Sequence, residues 1–428
     1  MKNLCLSLFI CLSLLLDNVS EAKETRSEVA ETLFSNYKNS VVQVRIIDKT
    51  SQSKASIGSG FFVAADDMEG GYIVSNFHVV SEWVYKPERY EIKYLMNDKR
   101  EGDLTLVGID VVHDLSLLKI DLKPQREFGF SNRKLTQGER LYSFGNPHDI
   151  GLSIVEGTYN GYIEKSLYEK IHYTGSVNPG MSGGPVVDRN GSLTGVNVSG
   201  AGNQLSFLVP KEYVNKLILN GRKNAETDLK FLDVIRDQLL ANQKEYMQFF
   251  LNEPLNAVTM NSYSLPGELG DFMKCWGGTK KREKMLYEQT YQVCRTEDDI
   301  YLSSGQRSGV IEYKHELFKN KGLGKMRFFS LMEGKFSHPG SAAFADEEMV
   351  TEYECKTGQV EHEQTKSKLV FCLREYKKFS GVYDAWMGAV ILAENDEVLQ
   401  TSLMLSGVSY ENAVKFSQAY MKKMSWIK

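Results

Sequence analysis

Cysteine is scarce in this chain of 428 residues. There are six, two inside an apolar N-terminal run and four between positions 275 and 372, with none from residue 12 to residue 274. The first half of the chain therefore has no disulfides to hold it, and its fold must rest on core burial. The four distal cysteines contain no C-x-x-C pair, which argues against a four-cysteine zinc site. An even number in an exported chain implies disulfides, with three connectivities open. Cys275 with Cys294 and Cys355 with Cys372 is the favoured set, because each pair flanks a segment of hairpin size. Charge of one sign is also lacking: the net charge is −4 with 25% charged residues, so no basic excess points to nucleic acid. The three distal histidines, His315, His338 and His362, are too widely spaced to suggest a metal site and read as surface or structural residues. No cofactor is expected.

The apolar run at residues 4–16 counts 13, short for a bilayer crossing. With Lys2 before it and Ser20-Glu21-Ala22 after it, residues 1–22 read as a secretory leader cut after Ala22. What the chain does have is aromatic residues, 22 Tyr and 21 Phe, a composition that suits β-rich structure.

The most telling stretch is residues 178–185, N-P-G-M-S-G-G-P. Glycines let the backbone turn at φ values other residues avoid. Such a turn can aim the N–H groups of Gly180 and Ser182 at one point beside the Ser182 hydroxyl, where the oxyanion of a tetrahedral intermediate forms. Serine needs a base, and an imidazole titrating near neutrality supplies one. Residues 58–63 and the start of residues 72–80 read as two strands joined by a loop at 64–71, with His78 just past the second. Asp114 stands at the entrance of a strand within residues 111–120, placed to hold the imidazole in the required tautomer. The order His, Asp, Ser and the separations of 36 and 68 residues suit a site shared between two β-barrels.

The segments G-S-G-F-F-V (58–63), S-N-F-H-V-V (75–80), H-D-L-S-L-L-K-I (113–120), G-N-P (145–147), N-P-G-M-S-G-G-P, L-T-G-V-N (193–197) and F-L-V-P (207–210) resemble the HtrA-like (Deg) branch of trypsin-fold serine proteases, over residues 36–216. The resemblance implies two antiparallel β-barrels with the site between them. It implies His78, Asp114 and Ser182 as the triad, and Gly180 and Ser182 as oxyanion-hole donors. The chain departs from the family pattern at Met181, where Asn is usual, and at Thr174-Gly175-Ser176-Val177, where D-A-A-I is usual. No stretch resembles the family's PDZ domain. By the same resemblance the specificity pocket draws on Ser176, Val177, Met181, Asn197 and Leu208. Ser176 is no acid to hold Lys or Arg, and Asn197 replaces the histidine of glutamyl endopeptidases. A small or aliphatic residue before the scissile bond is expected.

The expected fold is mainly β: a trypsin-like double antiparallel β-barrel over residues 23–222, a helical linker over 223–254, and an α+β, disulfide-bearing domain over 255–428. Within these, residues 23–38 read as partly helical. A short helix is expected at 211–219, a polar linker at 220–224 and a long helix at 226–250. Strands are expected at 285–294, 309–315, 325–332, 349–355, 368–373 and 389–393. A last helix is expected from an N-cap at Ser409 to residue 424. The leading functional reading is an exported serine endopeptidase, periplasmic or secreted, acting on proteins or peptides. The alternatives are a non-catalytic binding or chaperone-like protein on the same fold, and a protease held latent by its C-terminal domain. That domain leaves room for an envelope or protein partner, and the resemblance for a homo-oligomer.

Overall fold

The computed structural model describes residues 28–65, 70–164, 166–224, 229–252, 256–281, 285–336, 339, 345–362, 365–392 and 396–426. The expected leader at residues 1–22 and His338 lie outside the described residues.

Helix α1 (Glu28–Tyr37) lays Leu33 and Tyr37 on the core and leads into the first sheet. That sheet comprises β1 (Val41–Asp48), β2 (Ser53–Phe62), β3 (Gly71–Ser75), β4 (Tyr90–Met96), β5 (Glu101–Asp103), β6 (Thr105–Asp110) and β7 (Leu115–Ile120), in the order β5-β4-β1-β2-β3-β7-β6. Helix α2 (Phe77–Tyr85) is inserted between β3 and β4. His78 thus lies just past the second strand, as expected, but in a helix. Strand β3 stops at Ser75, Asn76 takes an extended N-cap conformation, and α2 buries Phe77, Val79, Val80 and Val84. The valines carry a strand preference, but burial of that face decides the outcome. Residues 111–114 are likewise a turn ahead of β7.

The second sheet closes on itself. Its strands are β8 (Arg140–Gly145), β9 (Ser153–Tyr162), β10 (Ile171–Tyr173), β11 (Pro185–Val187), β12 (Leu193–Gly200) and β13 (Ser206–Pro210), in the closed order β10-β13-β12-β11-β8-β9. One apolar cluster, including Phe61, Val74, Leu117, Phe144, Val187 and Val196, runs between the two sheets and fixes their relative position.

Helix α3 (Lys211–Asn224) runs through the stretch expected to be a linker. Helix α4 (Phe231–Asn252) follows and buries Ile235, Leu239, Tyr246, Met247 and Phe250 along one face. Strands β14 (Ala257–Met260) and β15 (Tyr263–Pro266) form a small sheet with the C-terminal bridge strand. The main distal sheet uses β16 (Met273–Lys280), β17 (Tyr287–Thr296), β20 (Ile311–Asn320), β21 (Glu354–His362), β22 (Thr365–Glu375), β23 (Tyr383–Leu392) and β24 (Glu397–Val408). It is seven-stranded, in the order β16-β17-β20-β24-β23-β22-β21. A separate hairpin pairs β18 (Ile300–Ser303) with β19 (Gln306–Ser308). Residues 325–332, expected as a strand, form helix α5 (Lys325–Glu333), which buries Phe328 and Met332 one helical turn apart. Residues 349–353 are not in a strand, apart from a bridge between Val350 and Tyr376. Helix α6 (Tyr410–Lys422) starts at Ser409, whose side chain accepts from the Asn412 N–H. Helices α4 and α6 cover one face of the sheet, α5 part of the other.

Cys275 is bonded to Cys294 and Cys355 to Cys372. Each pair sits directly across neighbouring strands, at the two edges of the distal sheet.

The distal region does not stand apart. One buried cluster joins Val42 and Ile92 of the first sheet and Val84 and Tyr85 of α2 to Ile235 and Leu239 of α4 and to Ile300, Leu302, Phe379 and Val382 beyond it.

Candidate active site

His78 lies in the first turn of α2, and Asp114 in the turn before β7. The Asp114 carboxylate accepts twice from the same residue: from the His78 ring at Nδ1, 2.6 Å, and from the His78 backbone N–H, 2.8 Å. Asp114 adopts a left-handed φ of 54°, and its carbonyl accepts from Asn76 Nδ2 at 2.7 Å. Asn76 is fully buried, and its own carbonyl accepts from Ser116 Oγ at 3.0 Å. A chain of side-chain and backbone bonds therefore fixes the imidazole. Its side chain is 27% exposed. Burial acts to lower the His78 pKa, but the charge and hydrogen bond of Asp114 outweigh it and raise the pKa above the ordinary value of 6.5; the Arg307 guanidinium pulls the other way.

Ser182 occupies a turn built from glycines in the left-handed region, Gly180 at φ 93° and Gly183 at φ 83°. A Cβ on Gly183 would lie 2.3 Å from the Ser59 carbonyl, and one on Gly184 2.1 Å from the Phe144 carbonyl, so neither position admits a side chain. The turn is braced from the first sheet. The Ser59 N–H donates to the Ser182 carbonyl at 2.7 Å, and Ser59 Oγ donates to the Gly180 carbonyl at 2.7 Å. The Ser59 hydroxyl also accepts from the Asn146 N–H at 2.9 Å. With both carbonyls held on one side, the N–H groups of Gly180 and Ser182 have no protein acceptor among the described residues. The Ser182 hydroxyl donates to the Val198 carbonyl at 3.4 Å; among the described residues no hydrogen bond joins it to His78. Catalytic bonds of this kind are often loose without a substrate.

The five residues expected to shape a specificity pocket fall in different surroundings. Ser176 is exposed and Val177 half-buried. Met181 and Leu208 are fully buried, Leu208 in the cluster of the second barrel with Leu141, Ile171 and Tyr173. Asn197 is fully buried and committed: it bonds Ser143 Oγ at 2.8 Å and donates to the Phe144 and Met181 carbonyls at 3.2 and 3.3 Å. It supports the Ser182 turn from behind.

Beside His78 opens a cleft of about 330 Å³ that draws on both halves of the chain: His78, Asp114, Val198 and Ser199 from the first, Tyr301 and Arg307 from the second. Sequence reasoning missed Ser59, Asn76, Tyr301 and Arg307. Ser59, flanked by Gly58 and Gly60, carried a local hint; a Cβ on Gly58 would lie 2.4 Å from Val79. Tyr301 and Arg307 carried none.

Residues 58–196 match the model of the trypsin-like peptidase domain. The "Probable periplasmic serine endoprotease DegP-like" of Bartonella henselae is 33% identical over 183 residues, covering 39% of this chain and 34% of that protein. The protein of the same name from Pseudomonas putida strain F1 is 29% identical over 284 residues, covering 62% and 54%. The chain thus spans between about a third and about half the length of these relatives. Among solved structures, a serine endoprotease from Yersinia pestis shares 24% identity over 47% of this chain and 69% of its own, with a TM-score of 0.41. Residues 58–196 of this chain form a trypsin-like peptidase domain similar to that of the DegP-like (HtrA-like) serine endoproteases.

Proposed function

We propose that this chain is an exported serine endopeptidase in which Ser182, His78 and Asp114 act as the triad. The observation that carries this reading is the Asp114–His78 pair beside a serine turn whose two N–H groups are unspent. With Asp114 holding the proton at Nδ1, Nε2 is the free base. It takes the Ser182 proton as the hydroxyl attacks a peptide carbonyl. The oxyanion forms against the N–H groups of Gly180 and Ser182, the protonated imidazole gives its proton to the leaving amine, and water then hydrolyses the acyl-enzyme. The hydroxyl must first turn from the Val198 carbonyl toward the imidazole.

Export is supported by the leader-like residues 1–22 and by the periplasmic names of the relatives. A preference for a small or aliphatic residue before the scissile bond is supported by the uncharged set Ser176, Val177 and Met181. Dominant cleavage after Arg, Lys or Glu in a peptide library would remove that preference.

The test is labelling of the mature protein with a fluorophosphonate beside Ser182→Ala. Labelling is expected in the first and absent in the second, with turnover falling on the order of 10⁶-fold. Because the His78 pKa is raised, the neutral base accumulates only above the ordinary imidazole range, so the labelling rate should climb through an acid limb lying above pH 6.5. A folded protein that does not label favours the second reading, a site held latent; the hydroxyl turned to Val198 is the observation on that side.

A further inference from the structure

The distal region meets His78 at the β18–β19 hairpin. Its Tyr301 ring meets the His78 ring edge-on, centroids 5.7 Å apart at 62°. The Arg307 guanidinium covers the Tyr301 ring at 4.1 Å. Arg307 is itself held, donating to the Ser303 carbonyl at 2.7 Å and lying 3.8 Å from the Asp299 carboxylate.

The hairpin is anchored on three sides. Ile300 and Leu302 are sunk in the cluster shared with the first sheet. At its start, Asp298 accepts from Ser166 Oγ at 2.7 Å, the Leu167 N–H at 2.8 Å and Lys170 Nζ at 2.6 Å, all between β9 and β10 of the second barrel. At its tip, Ser304 Oγ donates to Glu82 of α2 at 3.4 Å. The far end of the same helix is held as well: the Tyr85 carbonyl accepts from Lys378 at 3.5 Å, and its ring meets Phe379 at 6.3 Å. A hairpin joined to the first sheet and to the second barrel, and resting on the residue proposed as the base, is a fixed wall of the cleft.

The floor of that cleft has a free strand edge. Strand β11 pairs with β12 only as far as Val196, while β13 occupies the other side of β12 to Gly200. On the β11 side, residues 198–200 have no strand partner among the described residues. An extended peptide can add to such an edge, and here it would pass beneath Tyr301 and Arg307.

We infer that the β18–β19 hairpin is a working part of the peptidase site: Tyr301 is a positioning residue for His78, and Tyr301 with Arg307 walls the subsite for the substrate residues preceding the scissile bond. This rests on the peptidase reading above. Besides Tyr301, the charged and titratable groups around His78 are Asp114 and Arg307, with His113, Glu169, Lys170 and Asp299 also lining the cleft. Arg307 acts to lower the His78 pKa, so its loss raises it and moves the acid limb to higher pH.

The experiment uses the full mature chain with Tyr301→Leu, Tyr301→Phe and Arg307→Gln; the leucine variant keeps an apolar side chain against the shared core. Fluorophosphonate labelling rates are followed against pH, and kcat and KM are measured on peptides varied at the residue before the scissile one. Tyr301→Leu should slow labelling about tenfold and alter the ranking of those peptides. Tyr301→Phe should restore both, and Arg307→Gln should shift the acid limb upward. The same shift should be seen by NMR titration of the His78 ring in Ser182→Ala, which needs no activity.

Wild-type rates, ranking and acid limb in folded Tyr301→Leu and Arg307→Gln proteins overturn the inference. So does faster labelling of Tyr301→Leu, which would make the hairpin a restraint. Failure of the peptidase reading looks different: the folded wild type labels no better than Ser182→Ala. The titration shift in Arg307→Gln then decides the hairpin's role on its own.

Discussion

The second barrel and the distal sheet are both antiparallel, yet they solve the problem of strand edges in opposite ways. The barrel returns from β9 to β10, so every strand has two partners, and it contains no cysteine. The distal sheet stays open, and its two edge strands, β16 and β21, are each bonded to their neighbour by a disulfide. Closure leaves the barrel a short free stretch at the end of β12, whereas an open sheet must protect two whole edges. The cysteines are therefore concentrated where the topology leaves strands with one partner.

The strongest test of this contrast removes one region. A chain ending at residue 224 loses Ile235, Leu239, Ile300, Leu302, Phe379 and Val382 from the cluster that packs on the first sheet. We expect it to lose cooperative folding, seen as a broad, early transition in near-ultraviolet circular dichroism. A truncated chain that melts as sharply as the full one would show that the first sheet and the barrel stand alone.

Smaller changes separate the two modes of support. Phe144 is fully buried beneath the Ser182 turn, and Phe144→Ala should cost about 3–5 kcal/mol in urea unfolding and lower Ser182 labelling with it. Removing one bridge, as in Cys355→Ser with Cys372→Ser, opens a loop of sequence separation 17 and should cost about 3 kcal/mol. Labelling in native buffer should persist, because neither cysteine lines the cleft beside His78. Equal loss of labelling in both variants would mean that the distal sheet and the active site respond as one unit.

How much of this could be read from the sequence follows from the range of the interactions. Ser182 and Gly180 announce themselves through a local glycine-rich turn, and the order of His78, Asp114 and Ser182 is a chain property. The cap at Ser409 is equally local. Strand β24 escaped notice because it is central and buried on both faces, so Glu397–Val408 shows no alternation. Helix α5 was mistaken for a strand because two buried residues four apart, Phe328 and Met332, fit either period over so short a run. Tyr410, at the start of the last helix, is exposed, while Ala413, Phe416 and Tyr420 form its buried face. Tyr301 and Arg307 meet His78 across more than 200 positions, a contact made by tertiary packing alone.

An effect absent at neutral pH and felt only in acid belongs to His315, in the middle of the distal sheet. Its ring is fully buried, stacked on Tyr420 at 5.9 Å, with Nε2 bonded to the Pro266 carbonyl at 3.0 Å and Nδ1 to Thr401 Oγ1 at 3.0 Å. The neutral ring is fully satisfied there. Burial disfavours the charged form and lowers the pKa to about 4. The unfolded chain, with an ordinary imidazole, takes up the proton near pH 6.5, so the stabilisation is complete above that value and is lost as pH falls toward 4. The loss should be on the order of 1 kcal/mol at pH 5.5 and a few kcal/mol by pH 4. Urea midpoints measured against pH for wild type and His315→Gln should show that slope in the first and a flatter profile in the second. Parallel profiles would place the acid sensitivity elsewhere.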